Sequence, residues 1–152
     1  MTRYAKAAPP RTLYVAEPRG VWQARSPVVA DCSVLAAVLF AEANGGEAAT
    51  LLTQRAVHAP TLLPYEIASV AGKKLRAGAA AEEIDTALAD FADLCIDLHA
   101  APPAGTSKLA ARFALSAYDA AYLWLAAELQ APLATFDRQL AQAAKKHLGS
   151  AH

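Results

Sequence analysis

The chain has 152 residues, the size of one domain, with 55% apolar and 18% charged side chains, which excludes a largely disordered chain and supplies one continuous core. Lysine plus arginine equals aspartate plus glutamate at 14 each, so the formal charge is zero and no strongly basic nucleic-acid binder announces itself. The zero is uneven: through residue 27, Arg3, Lys6, Arg11, Arg19 and Arg25 face Glu17 alone, so a basic segment precedes a mildly acidic body.

Residues 1–26 read as a basic N-terminal extension with prolines at 9, 10 and 18 and a short extended piece around Leu13-Tyr14-Val15-Ala16; the body is residues 27–152. Pro27-Val28-Val29-Ala30-Asp31 is a short apolar run closed by an acid, the pattern of a buried strand. Ser33 is placed to cap a helix running to about Glu42, stopped by Asn44-Gly45-Gly46. A second helix from about Glu47 to Arg55 leads to a strand near Val57-His58-Ala59, after which Thr61 caps a helix with Pro64 in its first turn that runs to Gly78. Ala80 to about Leu94 is a further helix, acidic on its exposed side, and Ile96-Asp97-Leu98-His99 alternates as a strand. Pro102-Pro103 breaks the chain before a short helix from Lys108 to Ala114. Ser116 opens a long helix through Gln130, Pro132-Leu133-Ala134-Thr135 is the last strand, and Asp137 starts a final helix to about His147. Short apolar strands alternating with helices predict an α/β fold: a parallel sheet covered by helices on both faces, in three layers. The abundance of alanine fits closely packed helices.

Cys32 and Cys95 lack metal-type spacing and read as reduced thiols, and no apolar run reaches the roughly 18 residues needed to cross a bilayer. The expectation is a soluble cytoplasmic protein without a membrane anchor. The histidines His58, His99, His147 and His152 form no metal motif, and no GxGxxG or phosphate loop is present.

Four acids stand out by position. Asp31 closes the first strand, Glu66 lies within Leu62-Leu63-Pro64-Tyr65-Glu66-Ile67-Ala68, Asp119 interrupts Ala117-Tyr118-Asp119-Ala120-Ala121-Tyr122-Leu123-Trp124-Leu125, and Asp137 follows the last strand. Strand carboxyl ends of a doubly wound sheet share one edge, where ligands bind, and these acids would meet there. Gathered carboxylates repel one another unless a cation neutralises them, and hard oxygen donors favour Mg²⁺ or Mn²⁺, ions suited to phosphodiester chemistry. Each acid also has a structural explanation: Asp31 as a strand-end or capping residue, Asp119 in a Ser116-x-x-Asp119 capping box, Asp137 as a helix cap, Glu66 as an ordinary helix-face acid with Lys73 two turns away.

These blocks resemble a known family. Val29-Ala30-Asp31-Cys32-Ser33, Pro64-Tyr65-Glu66-Ile67-Ala68, Ser116 through Ala126, and Thr135-Phe136-Asp137-Arg138-Gln139-Leu140 are similar to the acidic blocks of the PIN domain, with VapC-type toxins of bacterial toxin–antitoxin pairs as the nearest subgroup. The resemblance spans about Pro27 to His147 and implies a Rossmann-like sheet and metal-dependent endoribonuclease activity. By that resemblance Asp31, Glu66 and Asp119 match the Mg²⁺- or Mn²⁺-binding catalytic acids, and Asp137 matches the fourth acid. Ser33 and Thr135 match the hydroxyl residues that support the cluster. It further implies an RNA substrate, a cognate VapB-like antitoxin encoded beside this chain, and a homodimer. The basic extension departs from the family pattern, so its role is not inherited.

Lys73, Lys74, Arg76, Lys108, Arg112, Arg138, Lys145 and Lys146 are candidate phosphate contacts or solvated helix charges. Tyr118, Tyr122 and Trp124 are expected to pack in the core or at a protomer interface rather than to stack on bases, and Cys32 is expected to be a small buried thiol rather than a nucleophile. Two other functions share the fold logic: a catalytically silent module that binds protein or RNA, against which the intact acids argue, and a nuclease for structured DNA, separable only by substrate.

Overall fold

The computed structural model describes residues 25–149. Both the extended piece around Leu13 and most of the basic extension lie outside the described residues. β1 (Ser26–Ala30), β2 (Arg55–Pro60), β3 (Ile96–His99) and β4 (Leu133–Ala134) form one sheet in the order β3-β2-β1-β4, with every neighbouring pair parallel. Seven helices flank it among the described residues: α1 (Cys32–Leu39), α2 (Gly45–Leu52), α3 (Leu63–Arg76), α4 (Ala81–Asp93), α5 (Pro103–Phe113), α6 (Ala117–Glu128) and α7 (Arg138–Leu148). The predicted α/β architecture is the observed one.

The central strand explains the layering. Val28, Val29 and Ala30 are consecutive and all buried, so both faces of β1 are covered, as a parallel sheet requires. α6 lies on β1 and β2 with α5 and α7 beside it, while α1, α3 and α4 form a second packed group. Ala120, Ala121, Tyr122, Leu123, Leu125 and Ala126 are all buried, so α6 is apolar nearly all round, the mark of a helix enclosed by its neighbours. The alanines serve this enclosure, because a small side chain lets helix and sheet approach closely.

Several local expectations shift. The cap of α1 is Asp31, whose carboxylate accepts the Val34 N–H, and Ser33 sits inside the first turn. Thr61 does not cap α3; its first turn carries Pro64, which needs no N–H partner there. Pro103 likewise begins α5 instead of breaking the chain, so that helix starts five residues before Lys108. Ser116 and Asp137 cap α6 and α7 as expected, accepting the N–H groups of Asp119 and Leu140. Asn44-Gly45-Gly46 does not merely stop a helix: α2 starts at Gly45, pressed against α1. A Cβ at Gly45 would stand 2.5 Å from the Ala37 carbonyl oxygen, whereas one at Gly46 would meet nothing within 4 Å.

Gly45→Ala is therefore expected to lower stability by about 1–3 kcal/mol in urea unfolding, since a backbone atom must move to admit it. Gly46→Ala is expected to be neutral or stabilising by up to about 1 kcal/mol. Equal stability for the two variants would show that the α1–α2 contact is not tight.

Candidate functional site

The carboxyl ends of all four strands reach one edge of the sheet. Asp31 follows β1 there and is only 6% exposed. Its N–H donates to the Ala134 carbonyl at 3.1 Å, which docks it against the end of β4. Ser33 Oγ donates to Asp31 Oδ1 at 2.5 Å and Thr135 Oγ1 donates to Oδ2 at 2.6 Å. The two hydroxyls are themselves fixed by backbone donors from the β4–α7 junction, Phe136 N–H to Ser33 Oγ at 3.0 Å and Asp137 N–H to Thr135 Oγ1 at 2.9 Å. Burial raises the carboxyl of Asp31 above its ordinary value, and these hydrogen bonds hold the rise back.

Glu66 lies in the first turn of α3, half-buried, and Tyr122 Oη of α6 donates to its Oε2 at 2.5 Å. Its carboxyl is also raised, first by burial, then by the charges of Asp31 and Asp119, with the Tyr122 bond opposing. The tyrosine in turn is held neutral, its hydroxyl pushed well above the ordinary range by burial and by Glu66. Asp119 sits in the first turn of α6 in the expected capping box: Ser116 Oγ donates to Asp119 Oδ2 at 2.7 Å and accepts the Asp119 N–H at 3.0 Å. The structure thus places Asp31, Glu66 and Asp119 near enough for their charges to interact. Asp137 stands apart: its exposed carboxylate accepts the Leu140 N–H at 2.7 Å, and its N–H supports Thr135.

Among the described residues, no group of three or more His, Cys, Asp or Glu side chains is gathered closely enough to hold a metal as the side chains stand. Each carboxylate is instead turned to a hydroxyl, of Ser33 and Thr135, of Tyr122, or of Ser116. In chemistry the set does fit: hard oxygen donors, two of them raised by burial without a cationic partner, suit an ion that keeps several waters and needs only one or two direct carboxylates. Cys32 is no rival nucleophile, because burial together with Glu66 and Asp31 pushes its thiol up to about 12.

Three features escaped the sequence. Tyr122 is buried as expected, but its hydroxyl engages a site acid rather than water. Tyr118 is 65% exposed instead of packed, while Tyr65 is 80% exposed, and nothing in their spacing sets them apart from core aromatics. His58 and His99 come together across β2 and β3, Nδ1 to Nε2 at 3.0 Å, so one ring carries the bridging proton.

A family model described as the PIN domain matches residues 28–146. Among solved structures, PAE2754 from Pyrobaculum aerophilum is similar at 20% identity, with a TM-score of 0.58, covering 82% of this chain and 95% of that one. Mycobacterium tuberculosis VapC20, a Sarcin-Ricin loop cleaving toxin, is similar at 17% identity and TM-score 0.59, covering 76% of this chain and 94% of that one. At these identities the likeness shows a shared fold. No curated protein matches the chain.

The burial of Asp31 carries a stability consequence. Its carboxyl titrates above the ordinary value in the fold, so the folded protein keeps a proton that the unfolded chain releases. Stability without metal should therefore fall as pH rises from about 4 through the raised value. Asp31→Asn keeps an acceptor for Val34 N–H and removes the charge; in EDTA at pH 7 it is expected to be more stable than the parent by about 1 kcal/mol in urea unfolding, with the difference shrinking toward pH 4. A variant less stable at both pH values would refute this account.

Proposed function

The chain belongs to the PIN domain family, and on that premise we propose that it is a Mg²⁺- or Mn²⁺-dependent endoribonuclease, the toxin of a VapBC-type pair. The observation that carries the reading is a buried Asp31 beside Glu66 and Asp119 at the carboxyl edge of a parallel sheet, two of the three raised and none of the three in an ion pair among the described residues. The fold shared with the toxin VapC20 supports the same choice. A VapB-like antitoxin that blocks the site, a homodimer and a cytoplasmic location complete the proposal. Among the described residues no helix is long and apolar enough to cross a membrane. The arrangement proposed along the chain is a basic extension, 1–26, followed by the PIN domain, 27–152.

Asp31, Glu66 and Asp119 would hold the ion, with Asp137 as the fourth acid. When bound, the ion would supply compensating charge and lower the pKa of a nearby water. Ser33 and Thr135 keep both oxygens of Asp31 in one orientation, which spares the site a reorganisation when charge arrives. Tyr122 does the same for Glu66 and, being neutral, adds no charge of its own. Asp137 acts through its backbone N–H, which fixes the Thr135 hydroxyl, and through its exposed carboxylate near the same edge.

Purified protein is expected to cut RNA with Mg²⁺ or Mn²⁺ and to stop in EDTA. Asp31→Asn should lower the rate by about 10²–10³-fold, as loss of several kcal/mol of charge stabilisation requires. A second readout needs no turnover: saturating Mg²⁺ or Mn²⁺ should raise the unfolding temperature of the parent and leave that of Asp31→Asn unchanged. Cleavage that survives both EDTA and the substitution would overturn the metal mechanism. Cleavage of structured DNA but not RNA would overturn the substrate assignment.

A further inference from the structure

Next to the acids, the first turns of α3 and α6 border an open cavity of about 530 Å³. Glu66 lines it, and so do Tyr65 and Tyr118, each the immediate sequence neighbour of a site acid, Glu66 or Asp119. The two rings are 80% and 65% exposed, among the most exposed large apolar side chains described, while Leu62 and Val70 supply half-buried apolar wall. No ring contact joins Tyr65 to Tyr118 among the described residues, so their faces are free for something else. Lys73 also lines the cavity, two turns along α3 from Glu66, or about 10 Å at the helical rise. It forms no ion pair among the described residues, whereas its neighbour Lys74 is bound to Glu42 at 2.8 Å.

Carboxylates at one end, open aromatic faces along the wall and an unpaired ammonium at the other make a mixed surface. It matches a ligand that alternates flat apolar rings with negative charge. A peptide has no need of that alternation, and a duplex hides its ring faces in its own stack. An unpaired nucleic-acid strand presents both. Resting on the nuclease reading above, we propose that this cavity is a nucleobase subsite: Tyr65 and Tyr118 stack on an unpaired base beside the phosphodiester to be cut, and Lys73 holds a neighbouring phosphate. The subsite gives the two tyrosines, rather than the acids, the choice of position along the strand.

Both rings are on the surface, so truncating them spares the core. The test is fluorescence anisotropy of a labelled, unstructured 12-nucleotide RNA on the full chain in EDTA at low salt, paired with steady-state cleavage of the same RNA in Mg²⁺. Tyr65→Ala and Tyr118→Ala should each weaken binding about tenfold and raise KM more than they lower kcat, and Tyr→Phe at either position should restore binding. Lys73→Gln should weaken binding on every sequence and make the salt dependence shallower by about one ion. The same RNA annealed to its complement should bind weakly and be indifferent to the tyrosines. Parent and tyrosine variants that bind and cut equally well would overturn the subsite and leave the nuclease standing. So would variants that keep RNA affinity but lose a co-purifying protein, which would make the cavity a protein-docking groove. A parent that neither binds nor cuts RNA under either condition would overturn the nuclease reading and the subsite with it.

Discussion

The structure turns on one expensive arrangement, a carboxylate buried at the end of the central strand whose hydrogen-bond donors, among the described residues, are neutral hydroxyls and backbone N–H groups. Asp31 is more deeply buried than any other acid described, and its two oxygens are met by Ser33 and Thr135 rather than by an ammonium or guanidinium. Desolvating a charge without a partner is unfavourable, and hydrogen bonds recover part of that cost without cancelling it. The same bonds that soften the penalty also lock β1 to the β4–α7 junction, through Phe136 and Asp137 N–H. The fold is thus stitched together across the feature that strains it.

Connectivity explains why the other acids arrive at the same place. In a parallel sheet every strand ends on one edge, so the helices that follow β1, β2 and β4 begin there. α6 is different, because it follows α5 rather than a strand. It reaches the edge because it must run back to feed β4 from the opposite side, so its first turn, with Asp119, lies where β4 ends. The buried Tyr122 one turn later then crosses to α3 and meets Glu66. One apolar helix therefore contributes a carboxylate and a hydroxyl donor to the site, the carboxylate held by Ser116 in the first turn and the hydroxyl by the burial of Tyr122.

Much of this was legible in the residues, and the limits have physical causes. The strands were readable because a fully covered parallel strand is a short apolar run, and Val28-Val29-Ala30 is one. The positions of Asp31, Glu66 and Asp119 were readable because an acid at a strand end or inside an apolar turn is conspicuous. Capping was less readable: Asp31, Ser33 and Thr61 all have side chains suited to an N-cap, and only the path of the chain decides which of them accepts an N–H. The glycines and prolines misled for a related reason. Gly45 is needed for close approach to Ala37 and Pro103 for the first turn of a helix, so residues that usually interrupt a helix here begin one. The partner of Glu66 was invisible because Tyr122 lies 56 residues away along the chain, with no local pattern to point to its hydroxyl. Tyr118 was misplaced by its company, since it sits in an otherwise buried apolar helix yet occupies the one turn that emerges at the edge.

The neutral net charge illustrates the same point about position. Glu82, Glu83, Asp85, Asp90 and Asp93 on α4 are all exposed, so water and salt screen them and they contribute little beyond solubility. Asp31 and Glu66 number only two, yet burial strengthens their interaction and makes them the acids whose protonation is shifted. A sum over formal charges weighs all seven alike. What a polyanion would meet at this edge is set instead by a few groups: the carboxylates, whatever cation they take up, and Lys73 across the cavity. A divalent cation held by the acids would offset most of the charge of Asp31, Glu66 and Asp119 without altering a residue, so the formal charge of the chain does not by itself set how phosphate is received at this edge. Neutrality describes the composition; the burial of two carboxyls decides the electrostatics that a nucleic acid would feel.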